Sequence, residues 1–195
     1  MSETGEFDWI EGLFVSITDG RVDLLEKALA EGFDPHRDLS EGLSIVSPAV
    51  RHGEATLARV YEMIDTVDIR QIAGYSPLQS AVMSEDVREV RALLRHGASV
   101  EWTCDCGDNV FHIASPEDII SQEVFDALVP HATLHALLTH SGGDTPISDI
   151  ANDKSAYRLK CLCRRYVELG GSLDVKVGVH AKPMRYFIEQ VGLGR

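Results

Sequence analysis

Residues 74 to 101 read Gly74-Tyr75-Ser76-Pro77-Leu78-Gln79-Ser80-Ala81-Val82, run through Asp86 and Glu89 to Leu93-Leu94, and close with Gly97-Ala98-Ser99-Val100-Glu101. Ser76 can accept a hydrogen bond from a free N–H at a helix start. Pro77 suits the first helical position, where no N–H is needed. Leu78, Ala81 and Val82 share one face of that helix. Asp86, with Glu89 three residues on, marks a second start, and Val87, Val90, Leu93 and Leu94 give the second helix its apolar stripe. Gly97 can take the left-handed conformation that ends it. The stretch predicts a short helix, a tight turn, a longer helix and an extended loop. Such a unit cannot bury its apolar face alone, so copies of it are expected on either side.

This unit resembles the ankyrin repeat, which has a period of about 33 residues and a T-P-L-H-x-A core. The likeness is carried by Ser76-Pro77-Leu78, Ala81, Leu93-Leu94 and Gly97-Ala98-Ser99-Val100. It departs at Gln79, where the family has histidine, and at Glu85, where a glycine commonly separates the helices. The resemblance implies an all-α ankyrin-repeat solenoid of about five helix-turn-helix repeats, with protruding loops and irregular capping repeats. It covers roughly Leu13 to Val191 of a single domain.

The expected repeats span 7–39, 40–71, 72–104, 105–140 and 141–176, followed by a C-terminal capping helix over 181–192. In the first, Phe7, Trp9, Ile10, Leu13, Phe14 and Ile17 form an apolar helix-like run broken by Gly20. Val22, Leu24, Leu25, Ala28 and Leu29 follow, ended by Gly32. Large aromatics there suit a cap over the open end of a stack. The second repeat starts at Gly42 and carries Leu57, Val60, Tyr61 and Ile64 at i, i+3, i+4, i+7. It lacks its terminating glycine at Asp65. The fourth starts at Gly107 and places His112 at the family's histidine position, where the resemblance implies a structural hydrogen-bonding role. Ile119, Ile120, Val124, Leu128 and Val129 supply its stripe and Pro130 stops it. Ala132-Thr133-Leu134 reads as the extended A-x-V closure, with two extra residues in the loop before Gly143. The fifth opens with Thr145-Pro146-Ile147 and carries Leu159, Leu162, Cys163 and Tyr166 as a stripe, but runs about four residues long. Lys182-Pro183-Met184 echoes T-P-L at the start of the terminal helix.

The 195 residues suffice for a sizeable core, and 44% of them are hydrophobic. The formal net charge of −13 argues against direct binding to a nucleic-acid backbone, which needs Lys and Arg. It favours a basic partner or plain solubility. Four cysteines, and an acidic stretch from Met1 to Asp8 without an apolar core, suggest no secretory leader and a reducing compartment. A cytoplasmic location is expected, with the nucleus open. No stretch reaches the roughly 20 apolar residues of a membrane span.

Few residues invite chemistry. Cys104-Asp105-Cys106 and Cys161-Leu162-Cys163 suggest four-thiolate zinc, but structural zinc uses pairs spaced by two to four residues. Residues two apart on a helix also diverge by roughly 200°. His131 and His135 stand four apart, with His140 beyond, but the glutamate of H-E-x-x-H is missing. Asp144, Asp149 and Asp153 form an acidic run that reads as caps and solvated charge. With no phosphate loop and no nucleophile elbow, the expectation is no catalytic residue, no metal, no cofactor and no small-molecule substrate.

In ankyrin repeats the loop tips and inner helices form a concave, protein-binding face. By register, that resemblance implies partner-binding positions at Leu43, Arg51, His52, Tyr75, Met83, Asp105, Asp108, Glu117, Asp144 and Asp153. Leu43, Tyr75 and Met83 are apolar or amphipathic, and tyrosine is a frequent interface anchor. The later positions are acidic. The expected activity is non-catalytic protein–protein interaction, as adaptor, inhibitor or effector, with a partner that presents an apolar plug beside a basic patch. The alternatives are an acidic decoy for a basic nucleic-acid-binding protein and, last, a zinc-dependent enzyme.

Overall fold

The computed structural model describes residues 12–36 and 45–193. Leu43, the glycine at 42 and the aromatics of the first ten residues fall outside them. The described chain forms two compact units, one of residues up to 77 with 91–98 and the other of 78–90 with the residues from 99 onward.

The first unit contains helix α1 (12–18), α2 (Asp23–Ala30), α3 (Val46–His52) and α4 (Glu54–Ile64). Its core is made by Leu13, Ile17, Leu25, Ile45, Ala49, Leu57, Val60 and Ile64, all buried. The stripe of α4 is thus where the i, i+3, i+7 spacing puts it, although Tyr61 is half-buried and meets His96 with ring centroids 5.8 Å apart. The missing terminal glycine is replaced by Asp65, which itself adopts the left-handed conformation (φ 61°) and ends α4. Gly20 is small for a packing reason. The His52 ring lies against it, and any Cβ there would collide with that ring.

The opening stretch folds as expected into α5 (Pro77–Met83) and α6 (Val87–Arg95). The Asp86 carboxylate accepts the N–H groups of Arg88 (3.0 Å) and Glu89 (3.1 Å), satisfying donors that a helix start leaves open. Glu85 occupies the inter-helix position usually given to glycine and pays the same conformational toll, with φ 56°. Lys154 holds the equivalent place between the fifth repeat's helices at φ 62°.

The second unit continues with α7 (Val110–Ile113), α8 (Gln122–Leu128), α9 (Leu134–Leu138), α10 (Pro146–Asn152), α11 (Ala156–Glu168) and α12 (Met184–Gln190). Phe111 and Phe125 are fully buried, each contributing about 2–3 kcal/mol of transfer free energy. The additional length of the fifth repeat is one extra helical turn, since α11 has 13 residues against 9 in α6.

Three local expectations are corrected. The segment after Ala132 is not extended; Thr133 Oγ1 accepts the Ala136 N–H at 3.0 Å and starts α9, which absorbs the two extra residues. Ile119 is not in the core stripe. It precedes α8 and is 62% exposed, because the chain from Ala114 to Ser121 is not α-helical. Before the terminal helix, Lys176–Val177 (β1) pairs antiparallel with Lys182–Pro183 (β2), a short hairpin the helical reading had not included.

Candidate functional site

The repeat-start glycines share one backbone device. The Gln71 N–H donates to the Tyr75 carbonyl at 2.7 Å and the Gly74 N–H turns back to Gln71. Thirty-three positions later, the Cys104 N–H donates to the Asp108 carbonyl at 3.0 Å and the Gly107 N–H turns back to Cys104 at 2.9 Å. Ser141 and Asp144 exchange the same kind of bonds at 2.9 and 3.0 Å. Gly74, Gly107 and Gly143 have φ of 75°, 94° and 98°. These left-handed values need glycine and set the tight hairpin tips.

Three inner helices end at matching places. Arg51 and His52 close α3 and are exposed, Met83 closes α5 and is 44% exposed, and Asp153 follows α10 and is exposed. In the first unit, His52 is engaged internally as well, with Nδ1 2.6 Å from Thr56 Oγ1. Tyr75 is half-buried. In the second unit, Asp105 and Glu117 are exposed while Asp108 and Asp144 are half-buried. The Asp144 carboxylate accepts the Val179 N–H at 3.2 Å, so part of its charge is already used to hold the C-terminal hairpin.

The acids of the second unit form a shared field. Burial, then the charges of Asp144, Asp108 and Asp153, raise the Asp149 carboxyl to about 6. Asp149 stands on α10, and the three carboxylates that act on it are three of the residues singled out by register. Asp149 thus feels like charges from two hairpin tips and from the end of its own helix.

Among the described residues, Cys104 Sγ, Cys106 Sγ and an Asp108 carboxylate oxygen lie within 4.8 Å of one another. Cys104 and Cys106 are joined as a disulfide. The four-thiolate arrangement does not form. Cys161 is half-buried and Cys163 fully buried on α11, and burial pushes the Cys163 thiol up to about 12, leaving it protonated. His131, His135 and His140 are exposed. His112 is buried, its pKa lowered by that burial, and its Nδ1 accepts the Asn109 N–H at 3.1 Å in a capping box. Arg165, on α11, is half-buried, and its guanidinium donates to the Pro130 carbonyl at 3.0 Å. A cleft of about 160 Å³ is lined by Asp144, Ser148, Asn152, Lys182 and Tyr186, smaller than the roughly 300–1,000 Å³ of ordinary small-molecule sites.

No protein-family model matches the sequence, and no curated protein matches it. The backbone does match solved structures. The ankyrin repeat domain of Bcl-3, described as a unique member of the IkappaB protein family, superimposes with a TM-score of 0.66 at 13% identity, over 93% of this chain and 80% of that one. An ankyrin repeat domain from Acinetobacter baumannii AYE superimposes with a TM-score of 0.60 at 13% identity, over 93% and 92% of the two chains. The chain has the ankyrin-repeat fold. Within it, the departure at Gln79 has a physical substitute. Gln79 replaces the ankyrin histidine, and its Nε2 donates to the Asp108 carbonyl at 2.8 Å and the Trp102 carbonyl at 3.4 Å. That ties α5 to the Cys104–Asp108 hairpin.

Sequence reasoning missed Arg158. It is fully buried on α11, and no spacing rule marks an arginine as a core residue. It also missed the third group beside the two cysteines, Asp108, because Asp108 joins them only through the Gly107 turn.

Proposed function

We propose that this ankyrin-repeat chain is a non-catalytic protein-interaction module that binds a partner through its hairpin tips and inner-helix ends. One observation carries the reading. Side chains at equivalent places in the second, third and fifth repeats, Arg51, Met83 and Asp153, stand in solvent while the residues between them build the core. Positions free of folding duty on a repeating scaffold are where recognition is free to vary. In the first unit the contact set is Arg51, His52 and Tyr75, with Leu43 added by register from outside the described residues. In the second it is Met83, Asp105, Asp108, Glu117, Asp144 and Asp153.

The acidic field at Asp149 supports a partner with a basic patch, since the same carboxylates that raise its pKa would stabilise an incoming Lys or Arg. Met83, exposed at the end of α5, supplies adaptable apolar contact. The field also favours a second reading, an acidic decoy that covers a basic nucleic-acid-binding surface. Affinity capture on immobilised chain, with binding of each captured protein then measured at low and high salt, tests the electrostatic component. Affinity that falls with salt and with Asp153→Lys supports it; affinity indifferent to both rejects it. Competition by DNA or RNA for the same partner distinguishes the decoy from an adaptor.

A further inference from the structure

We propose that in its reduced form the hairpin tip from Cys104 to Asp108 binds a thiophilic divalent cation of the zinc class, through Cys104 Sγ, Cys106 Sγ and an Asp108 carboxylate oxygen. These three donor atoms lie within 4.8 Å of one another. Tetrahedral zinc, with Zn–S near 2.3 Å and Zn–O near 2.0 Å, sets its donors about 3.5–3.8 Å apart, so small side-chain rotations close the site. The backbone beneath is already fixed. Cys104 N–H bonds Asp108 O at 3.0 Å, Gly107 N–H bonds Cys104 O at 2.9 Å, Gln79 Nε2 bonds Asp108 O at 2.8 Å, and Ser141 Oγ donates to Cys106 O at 3.2 Å. Those bonds use main-chain groups and leave the three side-chain donors to a ligand.

Two sulfurs and one carboxylate match the ligand preference of zinc and its soft relatives. Cys104 is buried and Cys106 exposed, so the site has a protein wall on one side and water on the other. A fourth position open to water makes the cation exchangeable. The C-x-C spacing alone does not supply enough ligands. The left-handed Gly107 (φ 94°) brings Asp108 round as the third.

The bound and disulfide forms exclude each other. A thiol or phosphine reductant delivers two electrons to the Cys104–Cys106 bond and leaves as its own disulfide or phosphine oxide, and with two protons from solvent the sulfurs become two thiols. The cation then displaces two protons, as Zn²⁺ + 2 RSH gives Zn(SR)₂ + 2 H⁺.

The test is a Cd²⁺ titration of the full chain after phosphine reduction, read by sulfur-to-cadmium charge-transfer absorption in the ultraviolet. One Cd²⁺ per chain, displaced by Zn²⁺, is expected. Cys106→Ser, checked for folding by circular dichroism, should weaken binding by about tenfold or more, Asp108→Asn by about tenfold, and Cys161→Ser not at all. The unreduced chain should give no band. Absence of a band in the reduced wild type overturns the proposal, as does an unchanged titration in Cys106→Ser or Asp108→Asn, or loss of the band in Cys161→Ser.

Discussion

The guanidinium of Arg158 donates through Nη1 to the carbonyl of Ala114 at 2.8 Å, 44 residues upstream. The same group reaches the carbonyls of Ser115 (3.2 Å), Pro116 (2.8 Å) and Ile120, and its Cζ lies 5.0 Å from the centre of the Phe125 ring. Arg158 is 1% exposed. After the four-residue α7 the chain leaves the helix, and one arginine from the next repeat's outer helix gathers four of the carbonyls that follow, of which that of Pro116 also accepts the Ile120 N–H at 3.1 Å. The cation replaces hydrogen bonds that a regular inner helix would make for itself.

Replacing that arginine should therefore be severe. Arg158→Met keeps the bulk but strands buried acceptors, with an expected loss of about 3 kcal/mol. Arg158→Lys keeps the charge without the planar fork and should lose about 2 kcal/mol. Urea unfolding measures both. Losses under about 1 kcal/mol would mean that the carbonyls find water instead.

Left-handed residues that are not glycine should respond in the opposite direction. Asp65 and Lys154 sit at φ 61° and 62°, a conformation that disfavours a Cβ by about 1–2 kcal/mol. Glycine loses part of that advantage through its own entropy. Asp65→Gly and Lys154→Gly should each stabilise by about 0.5–1 kcal/mol, or a rise of about 2–3 °C in the melting temperature. Glu85→Gly should gain less, because the Glu85 carboxylate accepts the Ser121 N–H at 3.1 Å and holds the start of α8. Equal gains at all three positions would show that this bond contributes nothing.

Asp149 gives a pH dependence with a definite sign. Its folded carboxyl titrates near 6, above the usual 3.8. The folded chain binds more protons than the unfolded chain between those values, so this group's contribution to stability is greatest at low pH and falls as pH rises from about 4 to 6. Asp149→Asn should raise stability at pH 7.5 by about 1 kcal/mol, a figure reduced for the solvent screening of a half-buried group. It should have little effect at pH 4. Thermal melts at the two pH values check this; a pH-independent effect would mean that packing, not charge, governs the position.

Gln79 tests the substitution at the ankyrin histidine. Gln79→Ala leaves the Asp108 carbonyl with one donor fewer and should destabilise by about 1–2 kcal/mol. Gln79→His restores a ring N–H and should lose clearly less. Thermal denaturation separates them, and equal losses would contradict the bridging role of Nε2.

Much of the fold was legible because the repeat signal is local. Ser76-Pro77, Asp86 and the start glycines each act on their own backbone, so spacing alone locates α5, α6 and the tips at Gly74, Gly107 and Gly143. What failed to show depends on partners distant in sequence. Arg158 is polar by composition and becomes core only because Ala114 to Ile120 offers carbonyls. The β1–β2 hairpin has two-residue strands, too short for alternation to register. The binding positions were readable only as places in a register. Hydrogen bonding then distinguishes Met83 and Asp153, which face water, from His52 and Asp144, which also serve the fold.

The most direct measurement is quantitative affinity enrichment with the wild-type chain and with a Met83→Ser, Asp105→Lys, Asp153→Lys variant of matched circular dichroism and melting temperature. The account predicts specific proteins bound by the wild type and lost from the variant. An identical set of bound proteins, with undiminished affinity for each, would contradict it.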